Sequence, residues 1–78
     1  MRQKKPALVI TFSATTHAMA MEAYCAQNGL PGRIIPVPRE ITAGCGLSWK
    51  AAPEEQKRLV DAMEQADLQW ETMYVIEI

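Results

Sequence analysis

The side chain in this 78-residue sequence best placed for covalent chemistry is the thiol of Cys45, in the run Ala43-Gly44-Cys45-Gly46. A thiolate is the nucleophilic form of cysteine, so a reactive cysteine needs an accessible position and positive potential around it. Gly44 and Gly46 let the backbone bend tightly and leave the sulfur without bulky neighbours. Arg39 and Lys50 are basic residues expected within reach of the thiol. His17 could orient or deprotonate the thiol, or donate to a bound anion. Ser13, Thr15 and Thr16 precede or open a helical stretch, where they either cap the helix or help hold an anion, as do Gly44 and Gly46. Each has a plainer role that competes: Cys45 as a small residue packing inward, His17 as a surface or capping residue, Arg39 as a solvated arginine.

Cys25 is the opposite case. With Ala14, Ala18 and Met21 it recurs at i, i+4, i+7 and i+11, the apolar stripe of a helix, which predicts a core role. A Cys25–Cys45 bridge would need Cα atoms within about 7 Å. Cys25 lies several helical turns from the end where Cys45 is expected, so no internal disulfide is predicted. The chain has neither a Cys-x-x-Cys pair nor a Cys/His cluster, which argues against a thioredoxin-type dithiol and a structural zinc site; no metal or cofactor is expected.

Composition narrows the partners. At 49% hydrophobic and 22% charged the chain has the balance of a folded domain, not of a disordered one. Eight basic and nine acidic residues leave a net charge of −1, which withholds the electrostatic drive for nucleic-acid binding. Trp49, Trp70 and Tyr74 therefore suggest packing or a dimer surface more than base stacking. The start Met1-Arg2-Gln3-Lys4-Lys5 is basic, but the apolar run after it is too short for a secretion signal, and nothing approaches the ~20 residues that span a bilayer. The expectation is a single domain over residues 1–78 with a basic N-terminal extension at 1–6, free thiols and a cytoplasmic location, without membrane or nucleic-acid partners. So short a chain buries a modest share of its surface, which makes a second copy a candidate partner.

The elements that must position Cys45 can be read in order. Ala7–Phe12 is a β-branched apolar run, continuous enough to be a central strand buried on both faces. From Ser13 the period becomes helical, with Ser13 as the expected cap, and Asn28-Gly29 ends the helix ahead of Pro31. Arg33–Val37 reads as a strand whose Pro36 confines it to a sheet edge. A polar connection over Pro38–Gly46 follows, and then Leu47–Ala51 alternates so that Leu47, Trp49 and Ala51 share a face. Pro53, Glu54 and Glu55 suit a helix start, Leu59, Val60 and Met63 form its apolar stripe, and it runs to about Ala66. Trp70–Ile78 is rich in strand formers and supplies the last strand.

Two strand-helix-strand units with right-handed crossovers predict an α+β fold: a ferredoxin-like β-α-β-β-α-β two-layer sandwich with a four-stranded antiparallel sheet. The first and third strands become central neighbours. Cys45 then arrives at the end of the sheet where the first helix starts, beside unpaired N–H groups and the positive end of the helix dipole.

The segment Ile34-Ile35-Pro36-Val37-Pro38-Arg39-Glu40-Ile41-Thr42-Ala43-Gly44-Cys45-Gly46-Leu47, together with Thr16-His17-Ala18 after the first strand, resembles the selenium/sulfur carrier-like protein family over nearly the whole chain. Members often carry a proline just after the first strand, where this chain has Ser13. The resemblance implies a small bacterial carrier or accessory protein rather than a stand-alone enzyme. Cys45 would be its carrier residue, Arg39 and His17 its supporting candidates, and sulfur or selenium donor and acceptor proteins its partners. A non-enzymatic anion-binding or interaction module of the same fold is the alternative.

Overall fold

The computed structural model describes residues 5–39, 41 and 45–77. Strand β1 (Pro6–Thr11) leads into helix α1 (Thr15–Asn28), and β2 (Arg33–Pro36) and β3 (Leu47–Ala51) follow. A 3-10 turn at Pro53–Glu55 then opens helix α2 (Gln56–Ala66), and β4 (Thr72–Glu77) completes the order. The sheet order is β2-β3-β1-β4 with every pairing antiparallel, the two-layer ferredoxin-like arrangement expected from the sequence.

The apolar run of β1 lies at the centre: Ala7, Leu8, Val9, Ile10 and Thr11 are all buried. Leu8 and Ile10 face the helices and join Phe12, Ala18, Met21, Cys25, Trp49, Ala51, Leu59 and Met63 in one hydrophobic cluster. Leu47 packs against that cluster, so the expected shared face of Leu47, Trp49 and Ala51 is present. Of the second helical stripe, Leu59 and Met63 are buried and Val60 is half-buried. Val9 points to the other face, flanked by its cross-strand partners Lys50 and Tyr74.

Several boundaries differ from the sequence expectation. Pro6 opens β1, so the basic extension ends one residue sooner, and Phe12 lies beyond the strand. Ser13 does not cap α1: Ala14 occupies the N-cap position in an extended conformation, with no side-chain cap bond. The helix begins one residue later than a serine cap would require. Val37 falls outside β2, and Pro36 is its last residue, on the edge strand as a missing N–H demands. Trp70 and Glu71 precede β4 rather than belonging to it.

The ends of the elements are fastened by backbone bonds. Gly29 takes the left-handed conformation at the end of α1, and the Leu30 N–H returns to the Cys25 carbonyl at 3.0 Å, while Leu30 itself packs on the core. At the far end of β1 the Thr11 hydroxyl donates to the Thr72 carbonyl at 3.2 Å and accepts the Thr72 N–H at 3.1 Å. Glu71 adds an N–H to the Thr11 carbonyl at 2.7 Å. Buried Ser48 donates to the Ile35 carbonyl at 3.4 Å, tying β3 to β2.

Gly32 leads the chain into β2 beneath the indole of Trp49. Its φ is +112°, and a Cβ there would meet Trp49 Nε1 and the Lys50 carbonyl, both well inside contact distance. The same indole N–H donates to the Pro31 carbonyl at 3.1 Å, so the ring cannot swing away without losing that bond. Gly32→Ala is therefore expected to destabilise the fold by roughly 2–4 kcal/mol, measured as a fall in the urea midpoint with little change in slope.

Candidate functional site

The connection between β2 and β3 is closed at its base. Val37 donates its N–H to the Gly46 carbonyl at 3.0 Å, extending the pairing of Pro36 with Leu47 by one step. Within the loop, the Ile41 N–H returns to the Pro38 carbonyl at 3.0 Å, which makes a turn over Pro38–Ile41, and the Ile41 side chain is buried. Arg39 sits on the corner of this turn and is exposed. Gly46 has φ +78° with open space where a Cβ would go, so backbone conformation rather than packing selects glycine there. Gly44 lies outside the described residues.

Cys45 stands at the mouth of this loop. It is half-buried and packs against the hydrophobic cluster on the helix side of the sheet. Its thiol donates a hydrogen bond to the Leu47 carbonyl, Sγ to O 3.6 Å. The bond uses the thiol proton, which the carbonyl accepts. Leu47 is a backbone partner that its residue type could not reveal.

The pairing of Thr11 with Ser48 sets the start of β3 against the finish of β1. The Cys45-Gly46 corner and the first turn of α1 therefore share one end of the sheet, as the topology predicted. At that end the Ala14 carbonyl accepts the N–H groups of His17 at 3.0 Å and Ala18 at 3.3 Å. Alanine has no side-chain acceptor, and among the described residues no side-chain bond caps this end. The N–H groups of Thr15 and Thr16 point along the axis out of the helix, carrying the positive end of its dipole. The first turn also contains no acidic residue. Ser13, Thr15 and Thr16 are exposed.

His17 is half-buried, and its Nδ1 is buried without a hydrogen-bond partner among the described residues. An orphaned ring nitrogen costs stability unless something satisfies it. Lys50 is a correction to the sequence expectation. It pairs with Arg33 and Val9 on the face away from the helices, whereas Cys45 packs against the cluster on the helix side. It does not belong to the positive surroundings of the thiol.

A model described as "Putative Se/S carrier protein-like" matches residues 7–75. The chain belongs to this family. No curated protein and no solved structure matches it. The match takes in β1, α1, the Cys45 loop and most of β4. No helix among the described residues is long and apolar enough to cross a membrane. Nor do the described residues include a group of three or more His, Cys, Asp or Glu able to hold a metal ion.

Trp70 is a residue at this end of the sheet that the sequence reading assigned to the last strand. The bond from Glu71 to Thr11 holds it beside the finish of β1, outside β4 and 39% exposed. Its strand propensity concealed that position, because tryptophan suits the interior of a strand equally well.

The two cysteines have separate environments. Cys25 is 2% exposed and sits in the hydrophobic cluster, where burial pushes its thiol pKa up. An alkylating reagent added to the folded protein is expected to modify Cys45 at least about a hundredfold faster than Cys25, with the difference disappearing in denaturant. The raised folded-state pKa also gives a sign for pH. The unfolded chain releases the Cys25 proton first, so this contribution to stability is complete below the ordinary thiol range and is lost as pH rises through the folded value. Above that range, wild type should lose stability more steeply than Cys25→Ala in urea titrations across alkaline pH.

Proposed function

We propose that Cys45 is the carrier residue of this family member: it accepts one sulfane sulfur or selenium from a donor protein, holds it as a persulfide or selenosulfide, and passes it to an acceptor. The carrier-like family assignment supports this reading, and so does the placement of Cys45 at the mouth of a loop while Cys25 is committed to the core. The observation that carries it furthest is the uncapped first turn of α1 at the same end of the sheet. A persulfide is more acidic than its parent thiol, so the loaded residue ends in an anion. The N–H groups of Thr15 and Thr16, unpaired among the described residues, offer that anion donors and a positive dipole end.

The remaining site residues have subsidiary parts in this reading. Gly46 adds conformational freedom next to the sulfur, and Gly44 would do the same on the other side. His17, whose Nδ1 lacks a partner among the described residues, is a proton shuttle for the thiol as it leaves the Leu47 carbonyl. The hydroxyls of Ser13, Thr15 and Thr16 are further donors for an anion, and exposed Arg39 supplies charge where a donor or acceptor docks. The protein then works in a reducing cytoplasm, as a carrier between enzymes, with its thiol free.

The uncapped helix also favours a second reading, in which the same end binds an inorganic anion and Cys45 is incidental. Persulfide loading separates the two. Incubation with a persulfide donor should add one sulfur atom to the intact mass of the wild type and of Cys25→Ala, and none to Cys45→Ser; equal loading of Cys45→Ser sinks the carrier. Ala14→Asp tests the role of the helix end. A carboxylate at the N-cap should stabilise the fold by about 1 kcal/mol. By placing negative charge against the incoming anion it should slow loading of Cys45 about three- to tenfold. A stabilised variant that loads at the wild-type rate would remove the helix end from the mechanism.

A further inference from the structure

The two edges of the sheet are unlike. Strand β2 is four residues long, with exposed Arg33 at its start and, at its finish, Pro36, which has no N–H to offer a neighbour. Strand β4 has none of these safeguards. Five consecutive uncharged residues, Thr72-Met73-Tyr74-Val75-Ile76, precede Glu77, and none is proline. Among the described residues no segment pairs with the side of β4 turned away from β1. Alternate N–H and C=O groups along that side are left for another chain.

The side chains of β4 agree with its backbone. Val75 is the cross-strand partner of Leu8 and so stands on the helix side of the sheet, but it is 54% exposed where Leu8 is fully buried. Tyr74 and Ile76, the partners of Val9 and Ala7, are half-buried on the opposite face. β-branched and aromatic residues in an uncharged edge strand favour pairing with a further strand. A net charge of −1 sets little repulsion between two copies of the chain.

We propose that β4 pairs antiparallel with β4 of a second copy about a two-fold axis at Val75, joining two four-stranded sheets into one. An axis normal to the sheet admits only registers in which facing residues lie on the same face. Centring on Met73 or Ile76 pairs only three strand residues, whereas centring on Tyr74 or Val75 pairs five. The Tyr74 register sets Glu71 opposite Glu77 of the second copy, twice over, and like charges directly opposed are unfavourable. The Val75 register sets Val75 against Val75, Tyr74 against Ile76 and Met73 against Glu77, with no like charges facing. The β2–β3 loops that carry Cys45 then lie at the two outer ends of the joint sheet, away from the interface. Five residues a side is far fewer than the roughly 20–30 of a standard interface, so the dimer dissociates in the micromolar range.

Light scattering on the whole chain between about 5 and 500 µM tests the proposal. The average mass should rise with concentration from the 8.7 kDa of one chain towards twice that value. Val75→Lys puts a charge on a side chain that is already exposed, and should raise the concentration of half-dimerisation at least about tenfold. Met19→Lys, which puts the same charge on a 61% exposed residue of α1, should dimerise as the wild type does. The register is read by oxidation in a Cys45→Ser background: Val75→Cys should form a disulfide-linked dimer at least about tenfold faster than Tyr74→Cys, because only Val75 faces its own copy. A wild type that stays monomeric throughout, a dimer unaffected by Val75→Lys, or one dispersed equally by Met19→Lys would overturn the β4 interface. Faster cross-linking of Tyr74→Cys would overturn the register. The wild-type mass and the cross-linking pattern decide the matter even if Val75→Lys disturbs the fold.

Discussion

Strand β1 has neither a face open to water nor an unpaired edge, and this enclosure constrains where everything else can go. Its alternate residues pack under the helices and on the opposite face, while β3 and β4 pair along its two sides. With both edges taken, the chain leaving Thr11 can only climb over the sheet as α1. The strands that run back must begin opposite the place where β1 stops. The end of the molecule that carries Cys45 is therefore a consequence of burying one apolar hexapeptide.

That end is secured unequally. On the β4 side, Thr11 exchanges two side-chain bonds with Thr72 and accepts a third from Glu71, so the backbone there is clamped. On the β2 side, a loop is pinched at its base by Val37 and Gly46 and anchored by buried Ile41. Cys45 stands at the boundary between the paired strands and this loop. Cys45 is set inward there, its thiol bonded to the Leu47 carbonyl.

The first turn of α1 sacrifices local stability. An alanine at the N-cap, no acidic residue behind it and a histidine nitrogen without a partner among the described residues all weaken a helix start. The other end of the same helix is finished well, with Gly29 in the left-handed conformation and Leu30 returned to the core. The contrast falls at the end of the helix that shares the Cys45 end of the sheet.

Much of this was readable from residue types. The unbroken apolar run predicted a strand buried on both faces because no polar side chain interrupts it, Pro36 predicted an edge because it has no N–H to share, and the i, i+4, i+7 stripe predicted a core Cys25. Several local inferences failed, at the ends of elements and at Lys50. Ser13 yielded the cap to Ala14 because the entry of the chain into α1 is set by where β1 ends, Trp70 was left outside β4 because Glu71 bonds to Thr11, and Lys50 was turned away from Cys45 by strand alternation. Periodicity and composition are local and additive, so the sequence by itself determined the elements, their order and the sheet they make. Which groups stand next to the sulfur depends on register and on backbone carbonyls that every residue possesses, and only the tertiary structure could decide it.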